Sequence, residues 1–338
     1  MFSVFTGFGA WQMVWNDEFD YNGLPDSTKW GYDVGTGSNG WGNSELEYYT
    51  KDSLKNAHAE DGKLFITAVK EKIKTSNYSS VRLVSREKGD WLYGRFEVAA
   101  TVPKGIGLWP AIWMLPTDWE YGNWPSSGEI DMMENVGFDS MNVHFNIHTE
   151  AYNHSIGTNK GATVKLDDPH TTFNVYALEW YTDSLLFFVN GKQVFMFKNE
   201  HTGYKTWPYD KRFHLLLNVA VGGSWGGQQG VNDAAFPASM VIDYVRVYKQ
   251  VDPSAALPQG RVHDEKPFFA IHGTSALFSA KGNGTLSLYA LGGKRIFSKA
   301  VPSGRTSCAL PSYLPQGVYR LCFETPGQTV SQSLTVCR

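Results

Sequence analysis

Short β-branched and aromatic runs recur along this chain, each stopped by Gly, Pro, Asn or Asp, and helical periodicity is almost absent. Segments 63–69, 95–101, 141–148, 175–180, 185–189, 213–219 and 240–248 read as strands. Asn190-Gly191, between 185–189 and 192–197, is a two-residue hairpin signal, because its turn needs positive φ at both positions. Many short strands with regular turns predict an all-β sandwich. A sandwich this large tends to curve, and its concave face is a natural groove for a polymer.

At 338 residues the chain predicts about two domains. All 12 tryptophans fall between Trp11 and Trp225, whereas Cys308, Cys322 and Cys337 all come late. Between these groups, residues 250–260 lack periodicity and carry Pro253 and Pro258, as a linker would. The expected organisation is a tail at 1–10, a main domain at 11–249, a linker at 250–266 and a small β-sandwich at 267–338. In the last, 284–291, 310–313 and 317–324 read as strands around Gly292-Gly293-Lys294, in a sandwich of about seven strands. The main domain cannot depend on disulfides. An odd cysteine count leaves one thiol unpaired within the chain, and the spacing fits no zinc motif.

Composition narrows the partner. Formal net charge is -3 and charged residues are 19%, below the ~25% of an average globular protein, so no basic surface points to nucleic acid or anionic lipid. Aromatics reach 14%, and their flat faces suit pyranose rings, although most will be core. No apolar run approaches the ~18–20 residues of a membrane span. Residues 1–10 lack the basic start and the apolar length of a complete signal peptide and read as a clipped remnant.

One segment carries chemistry. Gly128-Glu129-Ile130-Asp131-Met132-Met133-Glu134 sets three carboxyls among apolar residues that suit a buried strand. Strand alternation places Glu129 and Asp131 on one face and Glu134 on the other, unless a one-residue bulge at Met132-Met133 returns Glu134 to the carboxylate face. The two Glu α-carbons would then lie roughly 13 Å apart, and inward-leaning side chains would close the carboxyl gap to the ~5–5.5 Å of a retaining glycosidase. The plainer alternative is a solvated acidic patch or a cation site. Ile130, Met132 and Met133 in the motif, and Trp109, Trp113, Trp119 and Trp124 before it, favour a sugar cleft. On 141–148, His144, Asn146 and His148 share a face by period two, a row better explained by sugar hydroxyls than by structure.

Glu129-Ile130-Asp131-Met132-Met133-Glu134 resembles the E-x-D-x-x-E signature of glycoside hydrolase family 16 in its laminarinase-like form. Trp15-Asn16-Asp17-Glu18-Phe19, Gly40-Trp41-Gly42-Asn43-Ser44-Glu45, Tyr93-Gly94-Arg95-Phe96-Glu97, residues 108–116 and residues 241–248 resemble family segments in the same order, across about 11–249. The resemblance implies a concanavalin-like jelly roll of two curved sheets and retaining endo-hydrolysis of β-1,3-glucan, with mixed-linkage β-1,3-1,4-glucan open. Exclusive mixed-linkage enzymes commonly carry the shorter E-x-D-x-E, whereas Phe145-Asn146 here is similar to their form. A strict lichenase, a transglycosylase and a non-catalytic glucan-binding lectin are the rival readings.

By position in the motif, the resemblance implies Glu129 as nucleophile, Glu134 as acid/base and Asp131 between them. It implies substrate contacts from Asn43, Arg86 and Trp124, with Trp109 and Trp113 as stacking candidates, one of which is open to a core role. Arg86 is equally readable as a surface ion pair. Trp225, in a Gly-rich loop where an exposed indole has little structural reason, reads as a glucan contact. No catalytic cofactor is implied. A structural Ca²⁺ is, through the Asp243 carboxylate and the carbonyls of Glu18 and Gly62, though Asp243 equally suits a strand-end charge. The C-terminal segment resembles the sorting domains of secreted bacterial proteins, with a small carbohydrate-binding module as its rival. The expected protein is a secreted or cell-surface bacterial monomer whose partner is β-glucan.

Overall fold

A computed structural model describes residues 10–251, 268–272, 275–280, 283–290, 294–301, 304–309, 317–325 and 328–336. The chain divides into two compact units, one of them Trp11–Val251 and the other holding the C-terminal strands. In chain order the first contains β1 (Ala10–Asp17), β2 (Gly31–Asp33), β3 (Glu47–Thr50), β4 (Ala57–Glu60), β5 (Lys63–Ile73), β6 (Ser76–Val84), β7 (Asp90–Trp91), β8 (Gly94–Thr101) and β9 (Leu108–Pro116). It continues with β10 (Glu129–Glu134), β11 (Asn142–His148), β12 (Lys160–Lys165), β13 (Asn174–Trp180), β14 (Ser184–Val189), β15 (Lys192–Lys198), β16 (Phe213–Val221) and β17 (Ala238–Val251).

Most of these strands form two antiparallel layers, and β3 pairs parallel with β6. One runs β4-β5-β17-β8-β13-β14-β15. The other runs β12-β11-β10-β9-β16 and continues through β6 to β2. The β5–β6 hairpin joins them, so the layers close into one curved jelly roll. Strand β5 is longer than the 63–69 expected. Its added Lys70, Glu71 and Lys72 alternate between exposed and half-buried, so charge marks a solvent-facing strand, not a strand end.

Strand β16 shows how the layers divide the side chains. All nine of its residues are buried. Phe213, Leu215, Leu217, Val219 and Val221 enter the core between the layers, while the intervening Asn218 and Ala220 face a cleft. Period two therefore sorts one strand into a structural face and a functional face. Trp180 on β13 spans the layers: its ring meets Phe213 of β16 edge-on at 5.4 Å and its Nε1 donates to the Tyr209 carbonyl at 3.0 Å.

The second unit contains β18 (Phe268–His272), β19 (Ser275–Ala280), β20 (Gly284–Ala290), β21 (Arg295–Val301), β22 (Gly304–Ala309), β23 (Gly317–Thr325) and β24 (Gln328–Val336). They make a three-stranded sheet, β18-β19-β22, and a four-stranded sheet, β21-β20-β23-β24. Leu286, Leu288, Leu321 and Phe323 are buried in it, as is Cys322, which is unpaired. The strand expected at 310–313, residues 252–266 of the linker and Cys337 lie outside the described residues. Among the described residues no helix is long and apolar enough to cross a membrane.

Trp180→Ala is expected to remove about 3–5 kcal/mol of unfolding free energy, the usual cost of deleting a large buried ring. Urea unfolding of the variant beside the wild type measures it.

Candidate active site

Register on β10 decides what the site can be. Glu129 lies opposite His148, Asp131 opposite Asn146 and Glu134 opposite His144, with a slip between Asp131 and Glu134. Because His148, Asn146 and His144 alternate along β11, their three partners share one face. On the other flank Asp131 pairs with Trp113 and Glu134 with Ala111, again with a slip. The expected bulge is present at Met132-Met133, and both methionines enter the core at 0% exposure. One extra residue thus keeps the apolar side chains inside and all three carboxyls in the cleft. Gly128, at φ +90° and backed by Pro208, brings the chain into β10 where a side chain would not fit.

Each carboxyl has its own donors. Trp124 Nε1 donates to Glu129 Oε2 at 2.8 Å. Trp109 Nε1 and Asn146 Nδ2 donate to the two oxygens of Glu134, both at 3.1 Å. His148 Nε2 lies 3.2 Å from Asp131 Oδ2 and 3.8 Å from Glu129 Oε1. Asn159 donates to Asn146 at 3.0 Å and so fixes which end of that amide faces Glu134. Gly161, opposite Asn146, permits this: a Cβ there would meet the Phe145 carbonyl and the Asn146 side chain. Tyr209 donates its hydroxyl to the carbonyls of Glu129 and His148, at 3.1 and 3.0 Å, and so clips β10 to β11.

Burial raises the pKa of all three carboxyls, making each a weaker acid. Glu129 is pushed up to about 8 by loss of water first and the Asp131 charge next, against the opposing pull of His148. Asp131 is held well above the usual carboxylate range by burial and then by Glu134. Glu134 is raised by burial, with His148, Asn146 and Trp109 pulling the other way. The three titrate as a unit that carries fewer charges than it has carboxyls.

The carboxyls lie in a cavity of about 680 Å³, within the range of small-molecule sites. Asn43, Trp109, Trp113, His144, Asn146, His148 and Trp225 all line it. Neither Trp109 nor Trp113 is core: Trp113 Nε1 donates to Asn218 at 2.7 Å. Asn146 and His148 orient carboxyls as well as facing the cavity, while His144 bonds Thr163. Trp225 meets Trp109 and His144 edge-on, at 5.5 and 4.9 Å, so ring packing accounts for part of its place. Trp124 is absent from the lining and reaches the site through its bond to Glu129.

Arg86 is a correction. Strand β6 ends at Val84, and Arg86 lies in the turn beyond, bonded to Asp33 at 3.0 Å and outside the cavity lining. Arg82, still on the strand, takes the cleft position, with its guanidinium 4.5 Å from the Trp41 ring and 4.7 Å from Trp113. Glu45, Arg82, His154, Asn159 and Asn218 line the cavity without having been expected there. For Arg82 and Asn218 a signal existed: each is a polar residue flanked on both sides by apolar ones, Val81 and Leu83 or Leu217 and Val219. Glu18, Gly62 and Asp243 lie outside the lining. The Glu18 carboxylate forms two bonds to Arg246, at 2.8 and 2.7 Å. Asp243 is the residue skipped where β17 slips against β8.

Comparison with known proteins matches this architecture. A model described as glycosyl hydrolases family 16 matches residues 45–246. A β-glucanase of Rhodothermus marinus is 50% identical over 249 residues, 72% of this chain and 86% of that protein. The laminarinase structure from Rhodothermus marinus aligns with a TM-score of 0.71 at 50% identity, over 72% of this chain and 99% of that one. The structure of SCLam, a non-specific endo-β-1,3(4)-glucanase, gives 0.68 at 43% identity, over 73% and 97%. The jelly roll, the bulged carboxylate strand and these similarities agree, and the chain belongs to glycosyl hydrolases family 16.

Proposed function

We propose that this protein hydrolyses β-1,3-linked glucan of the laminarin type internally, with retention of anomeric configuration, and accepts mixed-linkage β-1,3-1,4-glucan as well. The observation that carries the reading is the bulge that places Glu129, Asp131 and Glu134 on one face of a Trp-lined cleft. Relatives described as a β-glucanase, a laminarinase and a non-specific endo-β-1,3(4)-glucanase support the substrate class. Phe145 carries no argument for strict mixed-linkage action, since its ring lies in the core and only Asn146 reaches the cavity.

In this reading Glu129 attacks the anomeric carbon while Glu134 gives its proton to the leaving glycosidic oxygen, forming a covalent glycosyl-enzyme. Glu134, now a base, takes a proton from water, whose oxygen attacks the same carbon and releases Glu129. Burial raises Glu129 as well as Glu134, so the reading places the charge on Glu129 because Trp124 and His148 favour it there, and the proton on Glu134 as the acid. Asp131, raised by burial, shares a hydrogen bond with Glu129 as charge leaves and returns. No cofactor takes part.

A structural Ca²⁺ fits the oxygen-only donors at Asp243, Glu18 and Gly62. The bulge at Asp243 frees that residue from the β8 register, and the Arg246 pair on Glu18 leaves the carbonyl as the group it would offer. The C-terminal unit, in the same reading, is a sorting or accessory domain of a secreted or cell-surface monomer. A polymeric substrate supports a place outside the cell.

Digesting laminarin, lichenan, agarose and carrageenan separately and sizing the products over time tests the function. Long oligosaccharides released first from laminarin are expected. Cleavage of lichenan alone, or of a galactan alone, contradicts the reading. Glu129→Gln is expected to abolish hydrolysis with an unchanged circular dichroism spectrum. Glu134→Gln is expected to slow glucan cleavage by about 10²–10⁴-fold. It should spare glycosylation from an aryl oligoglucoside whose leaving group needs no proton, and the rate of aryl release reports this. Since burial raises Glu134, its proton is lost only as pH climbs beyond the ordinary glutamate range. The alkaline limb of kcat/KM on glucan is therefore expected there, and the pH–rate profile locates it. Chelation is expected to lower Tm, with recovery on adding Ca²⁺; an unchanged Tm removes the metal.

A further inference from the structure

One acid close to the cleft has no place in the chemistry above. Glu47 opens β3 at 0% exposure, and no lysine, arginine or histidine is among the groups acting on it. Its Oε2 accepts the Val221 N–H at 2.6 Å, while Oε1 meets no donor. A carboxylate so placed would be a buried charge with one oxygen unsatisfied, whereas a carboxylic acid can donate through that oxygen. Glu45, two residues earlier on the same face, is the acceptor within reach.

Glu45 lines the cleft. Its Oε1 accepts from Asn43 Nδ2 at 3.2 Å and its Oε2 from the Tyr49 hydroxyl at 3.1 Å. Tyr49 in turn accepts from Asn218 at 3.0 Å, and Asn218 accepts from Trp113. The same corner carries the Trp225 loop, since Leu46 N–H donates to the Val221 carbonyl and Ser224 N–H to that of Asn43. A donor behind Glu45 thus holds one wall of the cleft together.

We infer that Glu47 is a positioning residue: a buried, protonated acid that donates its O–H to Glu45 and so holds the Glu45 carboxylate where a glucose hydroxyl meets it. This rests on the glucanase reading for its ligand alone. The groups facing Glu47 are few. Glu45 comes from the segment just before β3 and Tyr49 from β3 itself. From β6 come Arg82, which acts on Tyr49, and Tyr78, which lies opposite in register with its hydroxyl on Asp233. From β16 comes the Val221 N–H. Burial and the adjoining Glu45 charge both hold the proton on Glu47 to higher pH than an ordinary glutamate, and it is lost as pH rises further. Losing it replaces a hydrogen bond by repulsion between two carboxylates, which weakens substrate binding and leaves the bond-breaking groups in place.

Kinetics on laminarin from acid to alkaline pH, for wild type, Glu47→Gln and Glu47→Leu, test this. In the wild type KM is expected to rise roughly tenfold on the alkaline side, the scale of one charge-assisted hydrogen bond. Glutamine keeps a donor that does not titrate, so Glu47→Gln should lose the alkaline rise in KM while its kcat profile follows the wild type. Glu47→Leu should show the raised KM at every pH. An alkaline KM rise identical in wild type and Glu47→Gln overturns the inference. A second readout needs neither a variant nor a substrate: carboxyl ¹³C NMR of glutamate-labelled wild type at neutral pH. A protonated glutamate outside the catalytic trio supports Glu47 as the donor, and none overturns it. Absence of laminarin cleavage by the wild type would count against the glucanase reading, and the NMR result would still decide Glu47.

Discussion

The single inserted residue on β10 is the constraint from which the site follows. A strand with strict alternation would put either Glu134 or Met133 on the wrong face, burying an acid in the core or exposing a thioether in the cleft. The bulge resolves that conflict, because Met132 and Met133 both enter the core while Glu134 returns to the side of Glu129 and Asp131. Both neighbouring strands register the slip, so the irregularity is built into the pairing on each side.

Once three carboxyls share a face, their repulsion and burial must be managed, and the neighbouring strands are arranged to do so. Trp124, Trp109, Asn146 and His148 each supply a polar contact to a particular carboxyl. Trp124 and His148 favour charge on Glu129, as the proposed mechanism needs, whereas Trp109 and Asn146 hold the Glu134 carboxyl in place. A second acidic pair, Glu45 and Glu47, repeats the device at the cleft wall, where one buried proton substitutes for a cation.

The fold was legible because strand and turn signals depend on local chemistry: Asn190-Gly191 does form the tight link between β14 and β15. The carboxylate face was legible too, since apolar neighbours around Glu129 and Glu134 demand a bulge. What the sequence did not disclose depends on where a strand stops and what lies across it. Arg86 and Arg82 both reach Asp33, but only Arg82, still inside β6, also lies in the cleft wall against Trp113. Trp124, expected at the sugar, also donates to the proposed nucleophile, a contact made across a loop that periodicity does not describe. Glu47 looks like an ordinary charged residue until its complete burial beside Glu45 is seen.

The central claim is that the bulge brings Glu129 and Glu134 close enough for a covalent double displacement. Proton NMR of the first reducing ends released from laminarin tests it most directly, before mutarotation scrambles the anomers. The account predicts β-anomer at the earliest times, with α-anomer appearing only by later equilibration. Initial release of the α-anomer would contradict it, because inversion requires carboxyls set apart around a water and not a nucleophile in reach of the sugar.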